Sequence, residues 1–265
     1  MKGKVRIHAS FFFLMILIIA LGQVRQLLLI LIAVTAHEIS HLVYAWLCGL
    51  KTRGIIITPV GEIGLIEDFD HAGAAVKYGV LLAGPLTNLF LAALMFLLGI
   101  RGTFLNINLT IGLFNLLPFY PLDGGRLFFV FLGNRMGILN SVKYVRRLTK
   151  AGIVLLCVLG FLQTILHPFN ISLICVAAFF ITIFRKESGG MVFSYYRCML
   201  GKHKWLGAGM NVRTLALSDR RQLPLVHKRF SWDYYHIVHV VENGGIVCTL
   251  TETELFGYAL AHSEL

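Results

Sequence analysis

Charge is what this sequence has least of. Only 14% of its residues are Asp, Glu, Lys or Arg, where soluble domains carry about a quarter. A buried core alone does not account for that deficit, so an ordinary soluble globular domain is excluded first. Acid is scarcer still: 13 Asp and Glu stand against 24 Lys and Arg, for a formal net charge of +11. With 57% hydrophobic residues and a mean hydropathy of +0.76, the composition calls for lipid as solvent. Its basic surplus then suits loops that fix orientation and face anionic headgroups, rather than direct contact with nucleic acid. Cysteine is sparse as well. Cys48, Cys157, Cys175, Cys198 and Cys248 are odd in number, lie far apart and form no CxxC, which argues against a disulfide framework and a cysteine metal centre. They read as small apolar packing residues.

What the sequence does have is long apolar runs. Residues 9–22, 27–49, 76–100, 105–117, 151–166 and 171–184 approach the length of a bilayer span. The first and fourth are short, and the fourth runs into Pro118 and Pro121, which cannot continue a regular helix. Lys2, Lys4 and Arg6 precede the first run, and Ala20-Leu21-Gly22 offers a cleavable-signal alternative for it. Six spans with a cytoplasmic N-terminus leave only Arg25 and Arg101 in outside loops. The inside then holds Lys51, Arg53, Lys77, Arg126, Arg135, Lys143, Arg146, Arg147, Lys150, Arg185 and Lys186 as well as the N-terminal cations. That asymmetry predicts both termini in the cytoplasm. Between the second and third runs, residues 54–66 are β-branched and broken by glycines and Pro59, which predicts a membrane-associated hairpin. An edge strand over residues 55–66 would accept an extended substrate by backbone pairing.

His37-Glu38-Ile39-Ser40-His41 lies inside the second apolar run. On a helix, positions i and i+4 share a face, so both imidazoles reach one ion while Glu38 flanks it. Neutral imidazole suits Zn²⁺, which needs a third protein ligand and one position open for water. Glu38 is the general base. Each ionisable group at the centre of a membrane helix costs about 2.5–3.5 kcal/mol or more, so such residues are functional by default. The third ligand must come from another segment: Asp123, if its chain is broken by Pro118, Pro121, Gly124 and Gly125, or one of the loop carboxylates Glu62, Glu67, Asp68 and Asp70.

Together, His37–His41 and Pro121-Leu122-Asp123-Gly124-Gly125 resemble the site-2 protease family of intramembrane zinc metalloproteases, over residues 1 to about 185. That resemblance implies one catalytic Zn²⁺ on His37, His41 and Asp123, a general base at Glu38, and regulated intramembrane proteolysis as the activity. Asn115, in Asn115-Leu116-Leu117-Pro118, matches a family position beside the active site and would position substrate or stabilise the oxyanion. Within the family the chain resembles the sporulation enzymes. These remove the pro-sequence of a membrane-associated sigma factor, pro-sigma-K, in the mother-cell membrane surrounding the forespore, and are held inactive by membrane inhibitor proteins. Residues 83–88, Ala-Gly-Pro-Leu-Thr-Asn, also resemble a family motif and read as a small-residue packing face with a proline kink.

The metalloprotease domain is expected over residues 1–186, a basic glycine-containing linker over 187–211, and a cytoplasmic domain over 212–265. In the last, strands at 212–217, 235–241 and 246–250, a short helix at 222–231, a turn at Asn243-Gly244-Gly245 and a capping box at Thr251–Glu254 leading into a helix at 255–262 follow βαββα order. That order resembles a single cystathionine-β-synthase (CBS) motif. Such motifs pair, so a homodimer or higher oligomer and a bound ATP are expectations attached to it. His236 and His239 fall on opposite faces of a strand and read as surface histidines. The fold class is therefore an α-helical multi-pass membrane protein with a small α/β domain. A metal-ion permease, using His37–His41 in transport, is the alternative; it would need further ligands lining a path through neighbouring helices, and the first, fifth and sixth runs offer almost none.

Overall fold

The structure, a computed structural model, describes residues 6–7, 24–58, 61–66, 69–166, 172–187, 189–205 and 211–255. The chain divides into two compact units, Met1–Pro118 with Leu122–Leu127 and Phe119–Pro121 with Phe128–Leu265.

In the first unit, β1 (Arg6–Ile7) is followed by α1 (Val24–Leu47), β2 (Thr52–Thr58), β3 (Gly61–Ile66), α2 (Ala74–Leu97), α3 (Thr103–Asn115) and the start of α4 (Asp123–Met136). The helices α1, α2 and α3 pack mutually. Small residues such as Ala33, Ala45 and Ala92 are buried where they meet, which lets the backbones approach. Their outward faces are apolar: Leu28, Ile30, Ile32 and Trp46 on α1 and Leu86, Phe90, Phe96 and Leu97 on α2 are exposed. Apolar surface on this scale is stable against hydrocarbon and costly against water.

The hairpin forms as its β-branched residues require. β2 and β3 pair antiparallel with Ile56 opposite Ile63 and Thr58 opposite Gly61. β1 adds in parallel to β2, Arg6 opposite Ile56 and Ile7 opposite Ile57, and the strand order is β1-β2-β3. The expectation of an edge strand is corrected for residues 56–57: β2 is the middle strand there, because a distant segment covers it. Among the described residues β3 pairs with β2 alone, and it packs against α1, the helix that carries His37 and His41.

In the second unit come the rest of α4, then α5 (Ile138–Leu166), α6 (Ser172–Glu187), α7 (Gly190–Trp205), β4 (Asn211–Leu217), α8 (Leu223–Val226), β5 (Tyr234–Glu242) and β6 (Gly245–Thr251). α5 packs on α6 and α7. It starts well before Ala151, since Lys and Arg are good helix formers and the basic stretch simply continues the helix. Residues 190–205, within the expected basic glycine-containing linker, are helical. Met191, Tyr195, Cys198, Met199 and Lys202 recur at helical spacing and are buried, a stripe that the glycines and cations of this segment obscure.

β4 and β5 are parallel, β5 and β6 antiparallel, in the order β4-β5-β6. Asn243 and Gly244 both have positive φ (51° and 80°), the requirement of a two-residue primed turn. The capping box forms: the Thr251 amide donates to Glu254 Oε2 at 2.8 Å and the Glu254 amide to Thr251 Oγ1 at 3.4 Å. The helix expected at 255–262 lies, from 256 on, outside the described residues.

Among the described residues, three helices, Val24–Leu47, Ala74–Leu97 and Ile138–Leu166, are long and apolar enough to cross a membrane by length and composition. α3 and α6, at 13 and 16 residues, fall short of the roughly 20 that a straight span needs. The expected span at 9–22 lies outside the described residues.

Candidate metal centre

α1 presents His37 and His41 one turn apart on its buried face, 4% and 7% exposed. What orients them comes from one face of α2, at four-residue spacing. The Val80 carbonyl lies 2.6 Å from His41 Nδ1, and Asn88 Oδ1 lies 2.6 Å from His37 Nδ1. A carbonyl only accepts, so His41 Nδ1 carries the proton and its Nε2 keeps the lone pair in the neutral ring. Asn88 is itself fixed, its Nδ2 donating to the Ala33 carbonyl at 3.1 Å and to Asn108 Oδ1 at 2.8 Å. With both amide hydrogens spent, Asn88 Oδ1 can only accept, and His37 is held in the same tautomer as His41.

Between Val80 and Asn88 sits Gly84. A Cβ there would collide with His41 Nε2 and lie 2.7 Å from His37 Nε2, so glycine keeps open the space toward which both lone pairs point. The 83–88 segment is therefore more than a packing face. A polar residue buried in an apolar helix is the signal that marks Asn88.

Asp123 reaches this point because α3 stops. Leu116 caps α3, and after Pro118 and Pro121 Asp123 opens α4. Gly124 lets the two ends touch, since a Cβ there would strike the Leu116 carbonyl. Asp123 Oδ2 lies 3.0 Å from His37 Nε2 and 3.2 Å from His41 Nε2. Among the described residues, these three side chains form a group whose donor atoms all lie within 4.8 Å of one another. Bonds of about 2.0–2.1 Å in a tetrahedron set donors about 3.3 Å apart, so two neutral imidazoles and one carboxylate at this spacing suit Zn²⁺.

The other expected site residues are placed as follows. Glu38 adjoins His37 on α1 and is half-buried. Asn115 ends α3, half-buried, with its Nδ2 donating to the Ile111 carbonyl at 3.0 Å. Of the competing carboxylates, Asp70 lies in a short turn at Phe69–His71, where its carbonyl accepts from Lys77 Nζ at 2.9 Å. Glu62 lies on β3, and Glu67 and Asp68 fall outside the described residues.

Comparison with known proteins meets this geometry. Peptidase family M50 matches residues 100–159, the stretch that holds Asn115 and Asp123. The solved site-2 protease from Methanocaldococcus jannaschii superposes with a TM-score of 0.56 at 25% identity, over 71% of this chain and 92% of that one. These matches make the chain similar to the M50 family and to site-2 proteases. A zinc metalloprotease of the same archaeon is 28% identical over 193 residues, 66% of this chain and 55% of that protein. Stage IV sporulation protein FB of Bacillus subtilis is 28% identical over 143 residues, 50% of this chain and 49% of that protein. The chain thus spans about half the length of these curated relatives.

Proposed function

We propose that the protein is an intramembrane zinc metalloendopeptidase that cleaves a membrane-associated protein. The observation that carries this is the convergence of two oriented imidazole lone pairs on Asp123 Oδ2, at 3.0 and 3.2 Å, where the apolar helices α1, α2 and α3 pack together. His37, His41 and Asp123 are the zinc ligands. Zinc held there would supply Lewis acidity, polarising the scissile carbonyl and bringing the pKa of water toward neutrality. Glu38 takes the proton from the attacking water and returns it to the leaving amine. Asn115 holds the substrate or the developing oxyanion. Among the described residues the donors close on one point with no ligand ladder beyond it, which favours a protease over a permease.

A helical substrate hides its carbonyls in i→i−4 bonds and must be extended before attack. β3 is the strand for this, with pairing open on one side among the described residues and α1 packed against it. Gly64→Pro, which removes a backbone donor facing away from β2, should impair cleavage and spare zinc content; unaltered cleavage would remove β3 from the mechanism.

Likeness to stage IV sporulation protein FB supports the pro-sequence of a sporulation sigma factor, pro-sigma-K, as substrate. With it come control by membrane inhibitor proteins and a place in the mother-cell membrane around the forespore. Six spans with cytoplasmic termini, a protease domain over 1–186, a connecting segment over 187–211 and a CBS-like domain over 212–265 that pairs and admits ATP complete the proposal. Its support is the loop charge asymmetry and the βαββ element order. Co-expression with membrane-tethered candidates, wild type beside Glu38→Gln, is the test. Processing should fall by about 10²–10⁴-fold in the variant, with zinc retained; cleavage within a few-fold of wild type would sink the mechanism.

A further inference from the structure

Lys143, Arg146, Arg147 and Lys150 recur at i, i+3, i+4 and i+7, so they form one stripe along two turns of α5. Beyond Lys150 the same helix turns apolar to Leu166, with Val154, Leu155, Val158 and Phe161 exposed. α6 follows after a short connection and packs on α5, and its own apolar run ends at Phe184-Arg185. The two helices therefore bring their cationic ends together at the boundary of their apolar lengths. Lys143, Arg146, Arg147, Lys150, Phe184 and Arg185 line a cavity of about 490 Å³ there.

We propose that this cavity is a binding site for a phosphate-rich anion, filled in the membrane by the headgroup of an anionic phospholipid. Five of the six lining side chains are cationic and none is acidic. Lys143 faces Arg147 and Arg146 faces Lys150 at i, i+4, an arrangement that is mutually repulsive until an anion joins them. The guanidinium forks of Arg146, Arg147 and Arg185 match phosphate oxygens two at a time, and Lys143 and Lys150 add point charge. The volume falls in the range of about 300–1,000 Å³ usual for small-molecule sites. Buried Phe184 supplies an apolar wall. The choice of lipid over free phosphate follows from the surroundings. An acyl chain leaving the cavity meets the exposed apolar face of α5, and basic pockets between membrane helices hold doubly phosphorylated headgroups.

The test uses the full chain in detergent, titrated with cardiolipin, phosphatidylglycerol or phosphatidylcholine, with bound lipid read by native mass spectrometry. Cardiolipin should bind at least about tenfold more tightly than phosphatidylcholine, and Lys143→Gln/Arg147→Gln/Lys150→Gln should abolish that preference. These three side chains are exposed, so their neutralisation leaves no buried partner behind. The charge-keeping variant Lys143→Arg/Arg147→Lys/Lys150→Arg should retain it, as should Arg25→Gln/Lys51→Gln/Arg101→Gln, which removes the same charge elsewhere. Inorganic pyrophosphate is the competing probe. If it binds through the same residues more tightly than cardiolipin, the lipid assignment is overturned. A preference that survives in the first variant, or vanishes equally in the last, overturns the site itself.

Discussion

His37 and His236 are both buried imidazoles within hydrogen-bond reach of a carboxylate, yet their second nitrogens are treated differently. At His37 the outer nitrogen is tied to Asn88, and the inner one shares Asp123 Oδ2 with His41. At His236, Nδ1 meets Glu252 Oε2 at 2.8 Å and Nε2 meets Ser231 Oγ at 3.3 Å. Glu252 Oε1 accepts from Lys202 Nζ at 2.9 Å, and that ammonium also donates to the Ser231 and Tyr234 carbonyls at 2.7 and 2.9 Å. Ser231, His236 and Glu252 thus stand in the order of a nucleophile triad. Ser231 and His236 are nonetheless completely buried, and Phe230 stacks on the imidazole at 4.8 Å. Among the described residues this buried, hydrogen-bonded cluster joins α7, β5 and the helical segment that opens at Glu252 after β6. A buried histidine points to a metal when its lone pair is aimed at a site shared with other ligands, and to structure when both nitrogens are separately satisfied.

The sharpest way to break that contrast is to remove one carboxylate from each cluster. Asp123→Asn should lose zinc by more than the roughly 10–100-fold typical of deleting a supporting hydrogen bond, and cleavage should go with it. Asp70→Asn should leave both intact. Metal analysis of the purified variants decides the matter, and zinc retained without Asp123 would refute its assignment. Glu252→Gln should keep zinc but leave Lys202 buried without its counter-charge, at a cost of about 3–5 kcal/mol. Hydrogen exchange of the β5 amides reads that loss. Normal protection would mean that the Lys202–Glu252 pair does not hold the sheet.

Asn88→Ala sharpens the comparison from the other side. It frees His37 to rotate, so zinc affinity should drop by about 10–100-fold while the coordinating atoms all remain. An unchanged affinity would make Asn88 a packing residue after all.

How much of this was legible in the sequence follows from how local each cause is. His37 and His41 declare themselves because coordination of one ion would fix both residue type and spacing, and Pro118, Pro121 and Gly124 declare the break that delivers Asp123. Asn88 was hidden inside a run of small residues, although an amide in an apolar helix already signals a partner. The hairpin was readable from its β-branched residues; which side was covered was not, since β1 comes from far upstream. α7 was masked by its glycines and cations, whereas the Met191–Lys202 spacing carried the signal. His236 read as surface because its burial depends on Glu252 and Lys202 arriving from other elements. Of the five cysteines, Cys198 is buried as a packing residue, while Cys48, Cys157 and Cys175 are exposed.

The smallest expected effect concerns protons. Burial pushes the His236 pKa below its usual value, and the charges of Lys202 and Arg213 add to that, while the Glu252 hydrogen bond pulls the other way without prevailing. In the unfolded chain the ring titrates near 6.5. Between the depressed folded value and about 6.5 the unfolded state therefore binds more protons, so stability rises with pH. The contribution is fully present above about pH 6.5 and is lost as pH falls toward the folded value. One proton limits the slope to about 1.4 kcal/mol per pH unit. Facing His236 are Glu252, Lys202, Arg213 and Ser231. β5 exchange protection measured from pH 8 to pH 5 should weaken below about 6.5 in the wild type, and His236→Gln should flatten the upper part of that profile. An unflattened profile in the variant would take the pH dependence away from His236.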